Sequence, residues 1–251
     1  MITCITCTGD RPQCFKLLEG WVMNQIVKPD QWIVVDDGRV PLRPAVECEY
    51  VRREPLRTDP KFTMILNIEE AFKYIKGDKI LFMEDDEYYA PGYIEEISKK
   101  LDEYDLVGVG RSKYYHLPTL KWYRHKNMGH ASLAQTGFNR YFLKEAQGCL
   151  KGDWFLDIRF WRMVNGREAD RFTLPDDKIQ WKSKDGRGLV FDDLKDSLYV
   201  GMKGMPGRKG IGIGHNERSC YYPDKNKEVL RSWIVANEDF EKYLQIKGEL
   251  S

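Results

Sequence analysis

Short apolar runs alternate with amphipathic stretches along the first 110 residues of the chain. Apolar runs of about four to eight residues predict strands that are buried on both faces of a sheet. Residues 14–22 carry apolar side chains at i, i+3, i+4, i+7 and i+8, a spacing that predicts an amphipathic helix. The same reasoning predicts strands at residues 2–8, 32–35, 48–52, 80–83 and 106–109, and helices at residues 14–22, 62–75 and 91–101. This order favours an α/β fold with a mostly parallel sheet covered by helices.

The second half of the chain has a less regular pattern. Residues 132–138 predict a strand, residues 153–164 predict a helix, and a glycine-rich segment at residues 201–214 follows two short β-like runs. The C-terminal segment predicts one amphipathic helix, with apolar residues at Val229, Leu230, Trp233, Ile234, Phe240 and Leu244. Since no internal repeat or low-complexity linker divides the chain, we expect a single domain over residues 1–251.

Composition adds few constraints. The chain has 40 Lys and Arg against 39 Asp and Glu, so its net charge gives no reason to expect a polyanionic or membrane partner. No apolar run approaches the ~20 residues that span a bilayer, and no leader pattern opens the sequence, so we expect a cytoplasmic protein, or one in the host cytoplasm if a phage encodes it. Cys4 and Cys7 fall on one predicted strand with side chains on opposite faces, so we expect neither zinc nor disulfide bonds.

Acidic side chains follow three of the predicted strands, in Gly9-Asp10-Arg11, Asp36-Asp37-Gly38 and Glu84-Asp85-Asp86-Glu87. The carboxyl ends of parallel strands share one edge of a sheet, so these segments are expected to converge there. Converging carboxylates repel one another unless a cation lies among them, and a divalent ion with a nucleotide diphosphate would supply that charge. Because side chains alternate along a strand, either Glu84 with Asp86 or Asp85 with Glu87 could face the site. The alternative is an acidic turn in solvent.

Together these segments resemble the glycosyltransferases of family 2. The resemblance rests on Thr8-Gly9-Asp10-Arg11-Pro12, on Val34-Val35-Asp36-Asp37-Gly38 and on the D-x-D-like Glu84-Asp85-Asp86, and it covers roughly residues 1–160. It implies the GT-A fold, which is Rossmann-like, and a metal-dependent enzyme that transfers a sugar from a UDP-sugar to an acceptor hydroxyl. Residues 1–110 would then be the nucleotide-binding half, and residues 111–251 the acceptor side.

The resemblance also assigns roles on the donor side. It implies that Thr8, Arg11, Asp36 and Asp37 bind the nucleobase and ribose. It implies that the D-x-D end holds Mn²⁺ or Mg²⁺, a role that falls on Glu84, Asp85 and Asp86. The first acid is Glu where the family has Asp, so Asp86 is the strongest metal candidate.

Family members carry an Asp at the start of a helix, six residues before an Arg, and this Asp acts as the general base. Residues 152–159, GDWFLDIR, match that spacing with Gly in place of the preceding Glu. Asp153 is therefore the candidate base, and Asp157, one helical turn later on the same face, is the reserve; either would take the proton of the acceptor hydroxyl. The departure at Gly152 leaves inversion or retention open, and an Asp that stabilises the helix dipole is the alternative.

The glycine-rich segment carries three bases and a histidine. Lys203, Arg208 and Lys209 would neutralise a departing diphosphate. His215 resembles the C-terminal histidine that many GT-A enzymes add as a metal ligand, and an imidazole favours Mn²⁺ over Mg²⁺. A solvated, flexible loop is the alternative.

Residues 111–126 interleave Lys, Arg and His with Tyr and Trp. Aromatic faces stack on sugars or nucleobases, and cations contact phosphates, so this segment is a candidate acceptor site. A hydroxymethylated base in DNA, flipped out of the duplex, is one acceptor that fits. The alternative is an amphipathic β-hairpin whose long basic side chains extend to solvent.

Two other functions remain open. A nucleotidyltransferase uses a similar sheet, but members of that class carry a glycine-rich loop after the first strand, and residues 8–12 hold one glycine. A non-catalytic DNA-binding module would bind DNA in a salt-sensitive manner without any effect of nucleotide sugars. The sequence leaves the donor sugar, the acceptor and the oligomeric state undetermined.

Overall fold

The computed structural model describes residues 1–125, 127, 129–151, 156–170, 180–193, 197–210, 212 and 220–250. Its strands are β1 (Ile2–Thr8), β2 (Gln31–Asp36), β3 (Glu49–Arg52), β4 (Lys79–Phe82), β5 (Tyr88–Tyr89), β6 (Leu106–Gly110), β7 (Lys113–His116), β8 (Lys121–Arg124), β9 (Thr136–Asn139), β10 (Gln180–Lys182), β11 (Gly188–Asp192), β12 (Tyr199–Lys203) and β13 (Tyr222–Pro223). Its α-helices are α1 (Pro12–Met23), α2 (Met64–Phe72), α3 (Tyr93–Lys100), α4 (Leu143–Cys149), α5 (Leu156–Asn165), α6 (Glu228–Trp233) and α7 (Asn237–Glu249).

Eight strands form the main sheet, in the order β10-β11-β6-β9-β4-β1-β2-β3. β1 lies between β2 and β4 and is parallel to both, so the carboxyl ends of these three strands reach the same edge. β9 runs antiparallel between β4 and β6, and β10 is antiparallel to β11. The predicted mostly parallel sheet with flanking helices is confirmed, although the sheet is mixed.

Each face of the main sheet has its own apolar core. Along β1, Cys4 packs with Phe15 and Trp32 on one face, whereas Ile5 packs with Phe138 on the other. Cys7 packs against the second core, so the two cysteines lie on opposite faces, as their odd spacing predicts. Helices α1, α3 and α7 contribute to the first core, and α2, α4 and α5 contribute to the second.

A second sheet has the order β13-β8-β7-β12-β5. Strands β7 and β8 form an antiparallel hairpin in which Tyr114 pairs with Tyr123 and Tyr115 pairs with Trp122. Because side chains alternate along a strand, Tyr115 and Trp122 point into the first core, and Tyr114 and Tyr123 point to the opposite face. Residues 113–124 therefore form a β-hairpin, and a role of this segment in binding the acceptor stays a prediction.

Three predicted elements differ from the structure. The strand expected at residues 132–138 is a 3-10 turn, Leu133–Gln135, followed by β9, because the Ser132 hydroxyl donates to Gln135 Oε1 and favours a local turn. The helix expected to reach Ile75 ends at Phe72. The single predicted C-terminal helix is two helices, α6 and α7, because the backbone at Ile234 and Ala236 is extended and interrupts the helix between them. Across the described ranges, no helix is both long and apolar enough to cross a bilayer.

Candidate active site

A cavity of about 360 Å³ opens where the carboxyl ends of β1 and β4 face the second sheet. Its walls come from both halves of the chain, and they bring together segments far apart in sequence. The lining side chains used below are Thr8 and Arg11 after β1, Thr63 before α2, Glu84 to Glu87 after β4, Tyr114, Tyr123, His125 and His130, Asp157 in α5, Tyr199 and Lys203 in β12, Arg208 and Lys209 after it, and Tyr221 before β13.

The acidic turn after β4 breaks the expected alternation. β4 ends at Phe82, and residues 83–87 turn before β5, so neither predicted pair describes their directions. Instead, Glu84, Asp86 and Glu87 each bring one carboxylate oxygen to within 4.8 Å of the others. Three acids of this one turn therefore lie together, in a grouping that differs from either predicted pair.

Basic side chains from two other segments contact this turn. Arg11 Nη1 lies 2.9 Å from Asp85 Oδ1 and 2.7 Å from Asp86 Oδ2, and Lys203 Nζ lies 2.6 Å from Glu87 Oε1. We refer to residues 84–87 with Arg11 and Lys203 as the cavity cluster. The Thr8 hydroxyl donates to Asp85 Oδ2 at 2.6 Å. The side chain of Asp85 thus connects the acidic turn to the turn after β1.

The charges of the cavity cluster are not balanced. Burial, together with the negative charges of its neighbours, raises the pKa of Glu84 to about 8. Burial also raises the pKa of Glu87 to about 7, although Lys203 opposes the rise. Burial raises the pKa of Asp85 as well, against the attraction of Arg11. Each shift indicates that an added positive charge here would stabilise the ionised carboxylates.

The donor atoms of this cluster fit a hard divalent cation. Carboxylate oxygens are the ligands that Mg²⁺ and Mn²⁺ prefer, and the oxygens of Glu84, Asp86 and Glu87 are close enough to share one ion. Glu87 Oε2 is buried and has no partner in hydrogen-bonding geometry among the described residues, even though the nearby Tyr199 hydroxyl helps to stabilise the carboxylate. A buried carboxylate oxygen that accepts no hydrogen bond is suited to coordinate a metal ion.

The aspartates after β2 have different surroundings. Asp36 accepts hydrogen bonds at 2.8 Å from the backbone N–H of Gly38 and of Leu42 and from the Tyr50 hydroxyl, and so it shapes its own turn. Neither Asp36 nor Asp37 is among the described residues that line the cavity. The donor roles of both aspartates stay predictions.

Asp37 reaches the cavity through its partners. It is bonded to Arg53 at 2.7 Å, and to Thr63 and Arg208, which do line the cavity. Although burial opposes the change, the hydrogen bonds from Arg208, Thr63 and Arg53 hold the pKa of Asp37 below its usual value. An ionised Asp37 thus holds Arg208 at the cavity wall.

The described part of the glycine-rich segment is docked against the first turn. Arg208 N donates to Asp10 O at 3.3 Å, and Arg11 Nε donates to Arg208 O. Gly207 has φ of +96°, and a Cβ atom there would lie 2.5 Å from Asp10 O, so a larger residue would push the segment away. Arg208 is therefore held at the cavity wall, and Lys209, which follows it and is exposed, also lines the cavity. His215 lies outside the described residues.

The reserve base, Asp157, lines the cavity from the first turn of α5. The Ile158 N–H donates to Asp157 Oδ1 at 2.8 Å, and burial raises the pKa of Asp157 while His130 opposes that rise. His130 also lines the cavity; since Ala169 O only accepts, the 2.8 Å contact means that His130 Nδ1–H donates to it. The first candidate base, Asp153, lies outside the described residues.

Comparison with known proteins identifies the family. The family model described as Glycosyl transferase family 2 matches residues 21–168, more than half of the chain. The chain belongs to glycosyl transferase family 2. The enzyme class implied by the sequence resemblance is confirmed: this protein is a glycosyltransferase. No curated protein matches it by sequence.

One solved structure shares the fold of this glycosyltransferase. The crystal structure of S. aureus TarS superposes with a TM-score of 0.51 at 12% identity, covering 80% of this chain and 36% of that chain. The chain thus spans little more than a third of that TarS structure. TarS 1–349 in complex with UDP-GlcNAc gives 0.49 at 15% identity, covering 100% and 71%, and a nucleotidyl transferase from Methanothermobacter thermautotroptrophicus gives 0.49 at 12% identity, covering 100% and 97%. At 12% identity the match to TarS shows a shared fold, and the predicted GT-A fold is confirmed.

Aromatic rings form a further part of the wall of the glycosyltransferase cavity. Tyr114, Tyr123, His125 and Tyr221 line it, and we call these four side chains the aromatic face. The sequence indicated the first three as part of residues 111–126. The sequence does not indicate Tyr221, because its place in the cavity depends on the pairing of β13 with β8, which sets Tyr221 beside Tyr123. His130 was not predicted either, since a lone histidine in an irregular segment gives no pattern.

The basic residues of the same segment face a different way. Arg111 and Arg124 contact Asp192, at 3.4 and 3.2 Å, and Lys113 Nζ lies 2.6 Å from Asp193 Oδ1. We call these five residues the hairpin cluster. The side chains of Lys113, Asp192 and Asp193 are almost wholly buried. Three of the cations that the sequence offered for phosphate binding are therefore paired inside the protein.

Proposed function

We propose that this glycosyltransferase moves a sugar from a UDP-sugar to an acceptor hydroxyl, assisted by Mg²⁺ or Mn²⁺. The observation that carries the proposal is the convergence of Glu84, Asp86 and Glu87 in a cavity that basic side chains also line. A nucleotide diphosphate needs such a cation and such bases. Uridine is the nucleobase that the sequence resemblance implies.

Glu84, Asp86 and Glu87 would hold the cation, and His215 stays a predicted fourth ligand. When bound, the cation would supply positive charge to the diphosphate of the donor. Thr8 and Arg11 lie beside these acids, where the first turn can contact the nucleotide. Arg208 and Lys209 would contribute further positive charge at the cavity wall.

The proposed transfer step uses one carboxylate base. The acceptor oxygen forms a bond to the anomeric carbon as the bond from that carbon to the β-phosphate oxygen breaks. UDP leaves with the electron pair, and the acceptor proton passes to the carboxylate of Asp153 or Asp157. Asp157 is supported by its position at the cavity and by its raised pKa, which suits proton uptake. Asp153 and Asp157 are both candidates for this base.

The donor site is tested by thermal denaturation. UDP with MnCl₂ is expected to raise the melting temperature of the protein, and Asp86→Ala to abolish that rise because it removes a ligand. Asp102→Ala is the matched control, since Asp102 is an exposed acid paired with Lys79, and the rise should persist in it. An unchanged melting temperature at millimolar UDP and Mn²⁺ would refute the donor site. Release of pyrophosphate from UTP and a sugar 1-phosphate would identify a nucleotidyltransferase instead.

A further inference from the structure

The carboxylate of Asp37 is enclosed by other side chains and is 0% exposed. Its Oδ1 atom pairs with Arg208 Nη2, and its Oδ2 atom accepts from Arg53 Nη2 at 2.7 Å and from the Thr63 hydroxyl. Arg53 Nη1 also lies 2.8 Å from Asp59 Oδ2, so two guanidinium groups are matched by two carboxylates. Both oxygens of Asp37 are therefore engaged by protein groups.

The ion pair between Arg208 and Asp37 lies directly against Gly9. A Cβ atom added at Gly9 would overlap both Arg208 Nη2 and Asp37 Oδ1. The φ angle of Gly9 is outside the left-handed region, so a side chain is excluded here by the ion pair and not by backbone strain. The single glycine of residues 8–12 thus leaves room for Arg208 to reach Asp37.

Arg208 also has an accessible side at the cavity. Its side chain is 37% exposed, and it is one of the residues that line the cavity. A guanidinium carries five N–H donors on three nitrogens, and Asp37 engages the nitrogen Nη2. The backbone of Arg208 is held as well, since its N–H donates to Asp10 O and its carbonyl oxygen accepts from Arg11 Nε. An anion in the cavity would therefore meet a guanidinium whose position is already set.

Holding a guanidinium in advance favours the binding of an anion. An arginine side chain has many rotamers, and it loses this freedom when it binds a phosphate. A side chain that a buried carboxylate already holds has less freedom left to lose, so more of the interaction with the phosphate appears as affinity. The contact with Asp37 thus prepares Arg208 for a ligand that Asp37 itself does not need to reach.

We propose that Asp37 is a positioning residue, which acts on the donor through Arg208 and makes no contact with the nucleoside. Arg208 would donate to the terminal phosphate of the departing UDP, and Asp37 would set the direction of its guanidinium. The sequence resemblance implies another role for Asp37, direct binding of the nucleobase and ribose, and the two roles predict different effects on different ligands. The proposal rests on the proposed function, because it concerns the UDP-sugar in the same cavity.

UDP and UMP separate the two roles, because they share the nucleoside and differ by the terminal phosphate. Their dissociation constants in MgCl₂ are measured by calorimetry for the wild type, Asp37→Asn, Arg208→Gln and the double variant. Partial loss of structure would weaken both ligands, so a change in the ratio of the UMP constant to the UDP constant reports contact with the terminal phosphate. Arg39→Gln is the matched control, since Arg39 follows the same strand as Asp37, is 87% exposed and is not among the described residues that line the cavity.

We expect Arg208→Gln to weaken UDP binding about tenfold and UMP binding much less, because a hydrogen bond to a charged phosphate is lost. Asp37→Asn should lower the ratio in the same direction, by about threefold to tenfold, since the guanidinium remains but is no longer held. The double variant should resemble Arg208→Gln alone, because residues that act as one unit do not give additive losses. Arg39→Gln should keep the wild-type constants.

Arg208→Lys tests the positioning role without a change at Asp37, so it also serves if Asp37→Asn fails to fold. It keeps the positive charge but replaces the planar fork of donors by a single ammonium group. The ratio for Arg208→Lys should therefore fall close to that for Arg208→Gln. Folding of every variant is checked by its melting transition.

Four results would overturn the positioning role. Equal weakening of UDP and UMP by Asp37→Asn would assign Asp37 to the nucleoside. A wild-type ratio in Arg208→Gln would remove Arg208 from the phosphate site, and losses that multiply in the double variant would make the two residues independent. Wild-type UDP binding by Arg208→Lys would show that charge is sufficient without the geometry that Asp37 sets. A wild-type protein that does not bind UDP would be a different failure, because it refutes the proposed function itself.

Discussion

The cavity cluster and the hairpin cluster are both buried groups of acids and bases, yet they differ in how many cations accompany their acids. In the hairpin cluster, the acids at the end of β11 are matched by three cations, and the best-buried pair, Lys113 with Asp193, has both side chains at most 3% exposed. In the cavity cluster, four consecutive acids meet two cations, Arg11 and Lys203. Burial raises the pKa of Glu84 and Glu87 here and the pKa of Asp192 in the hairpin cluster, so the two clusters differ in their ratio of acids to cations. Only the cavity cluster lines the cavity.

This contrast distinguishes scaffold from site. A buried charge without sufficient compensation costs stability, and a fold retains it where a ligand supplies the missing charge. The hairpin cluster fixes β7 and β8 against β11, so that the aromatic face is held at the cavity. The cavity cluster keeps an excess of negative charge that a divalent cation would offset. If the contrast is sound, substitutions in the two regions should affect different properties.

The largest expected effect is on the rate of transfer. Asp157→Asn or Asp153→Asn should lower kcat by about 10²–10⁴-fold, whichever is the base, and leave UDP binding intact. If Asp157 is the base, its carboxyl must be ionised for transfer. Because its pKa is raised, kcat/KM should fall as the pH decreases through a value above the ordinary aspartate pKa of about 3.9. The pH profile of kcat/KM measures this limb. Full activity in both variants would break the assignment of a carboxylate base.

The second effect is on stability rather than on rate. Asp193→Asn leaves the Lys113 ammonium buried without its partner, which should cost about 3–5 kcal/mol of unfolding free energy. A chain of this size loses about 2–4 °C of melting temperature for each kcal/mol. Asp102→Asn, which removes an exposed pair with Lys79, should cost less than about 1 kcal/mol.

The same variant also tests donor binding. The melting temperature of Asp193→Asn, although lower than that of the wild type, should still rise on addition of UDP and Mn²⁺, because the hairpin cluster does not contact the donor. If folded Asp193→Asn instead lost its response to UDP, the hairpin cluster would belong to the donor site.

Local patterns predicted what depends on neighbours along the chain. The bounds of β1 agree with the prediction, because its apolar run and the turn residues after it are both local signals. The turns after β1, β2 and β4 share one sheet edge because these strands are parallel, although the three acids that lie together, Glu84, Asp86 and Glu87, come from a single turn. The grouping of the acids did not follow, because alternation stops being informative once β4 ends at Phe82.

Long-range pairing is what the sequence could not provide. Lys113 and Asp193 are 80 residues apart, and nothing near either of them indicates the partner. Hence the local pattern of residues 111–126 predicts phosphate contacts, whereas the structure pairs three of these bases with β11 and the residue after it. The antiparallel direction of β9 and the place of Tyr221 beside Tyr123 likewise arise from sheet assembly. For this reason the structure of residues 111–251 was harder to predict than that of residues 1–110.

The smallest expected effect is a change in how stability depends on pH. In metal-free buffer, Glu84 binds its proton more tightly when folded, with a pKa of about 8 against an ordinary 4.5, so its contribution to stability falls as pH rises from about 4.5 to about 8. Glu84→Gln cannot ionise and should melt a few degrees above the wild type at pH 8.5 in EDTA, with the difference vanishing near pH 5. Adding Mn²⁺ at pH 8.5 should reverse the order, because the cation stabilises the protein that retains the ligand. Glu69→Gln, on the exposed side of α2, is the control and should show neither response. An equal pH slope for the wild type and Glu84→Gln would mean that the cavity cluster is as well compensated as the hairpin cluster, and the distinction between them would fail.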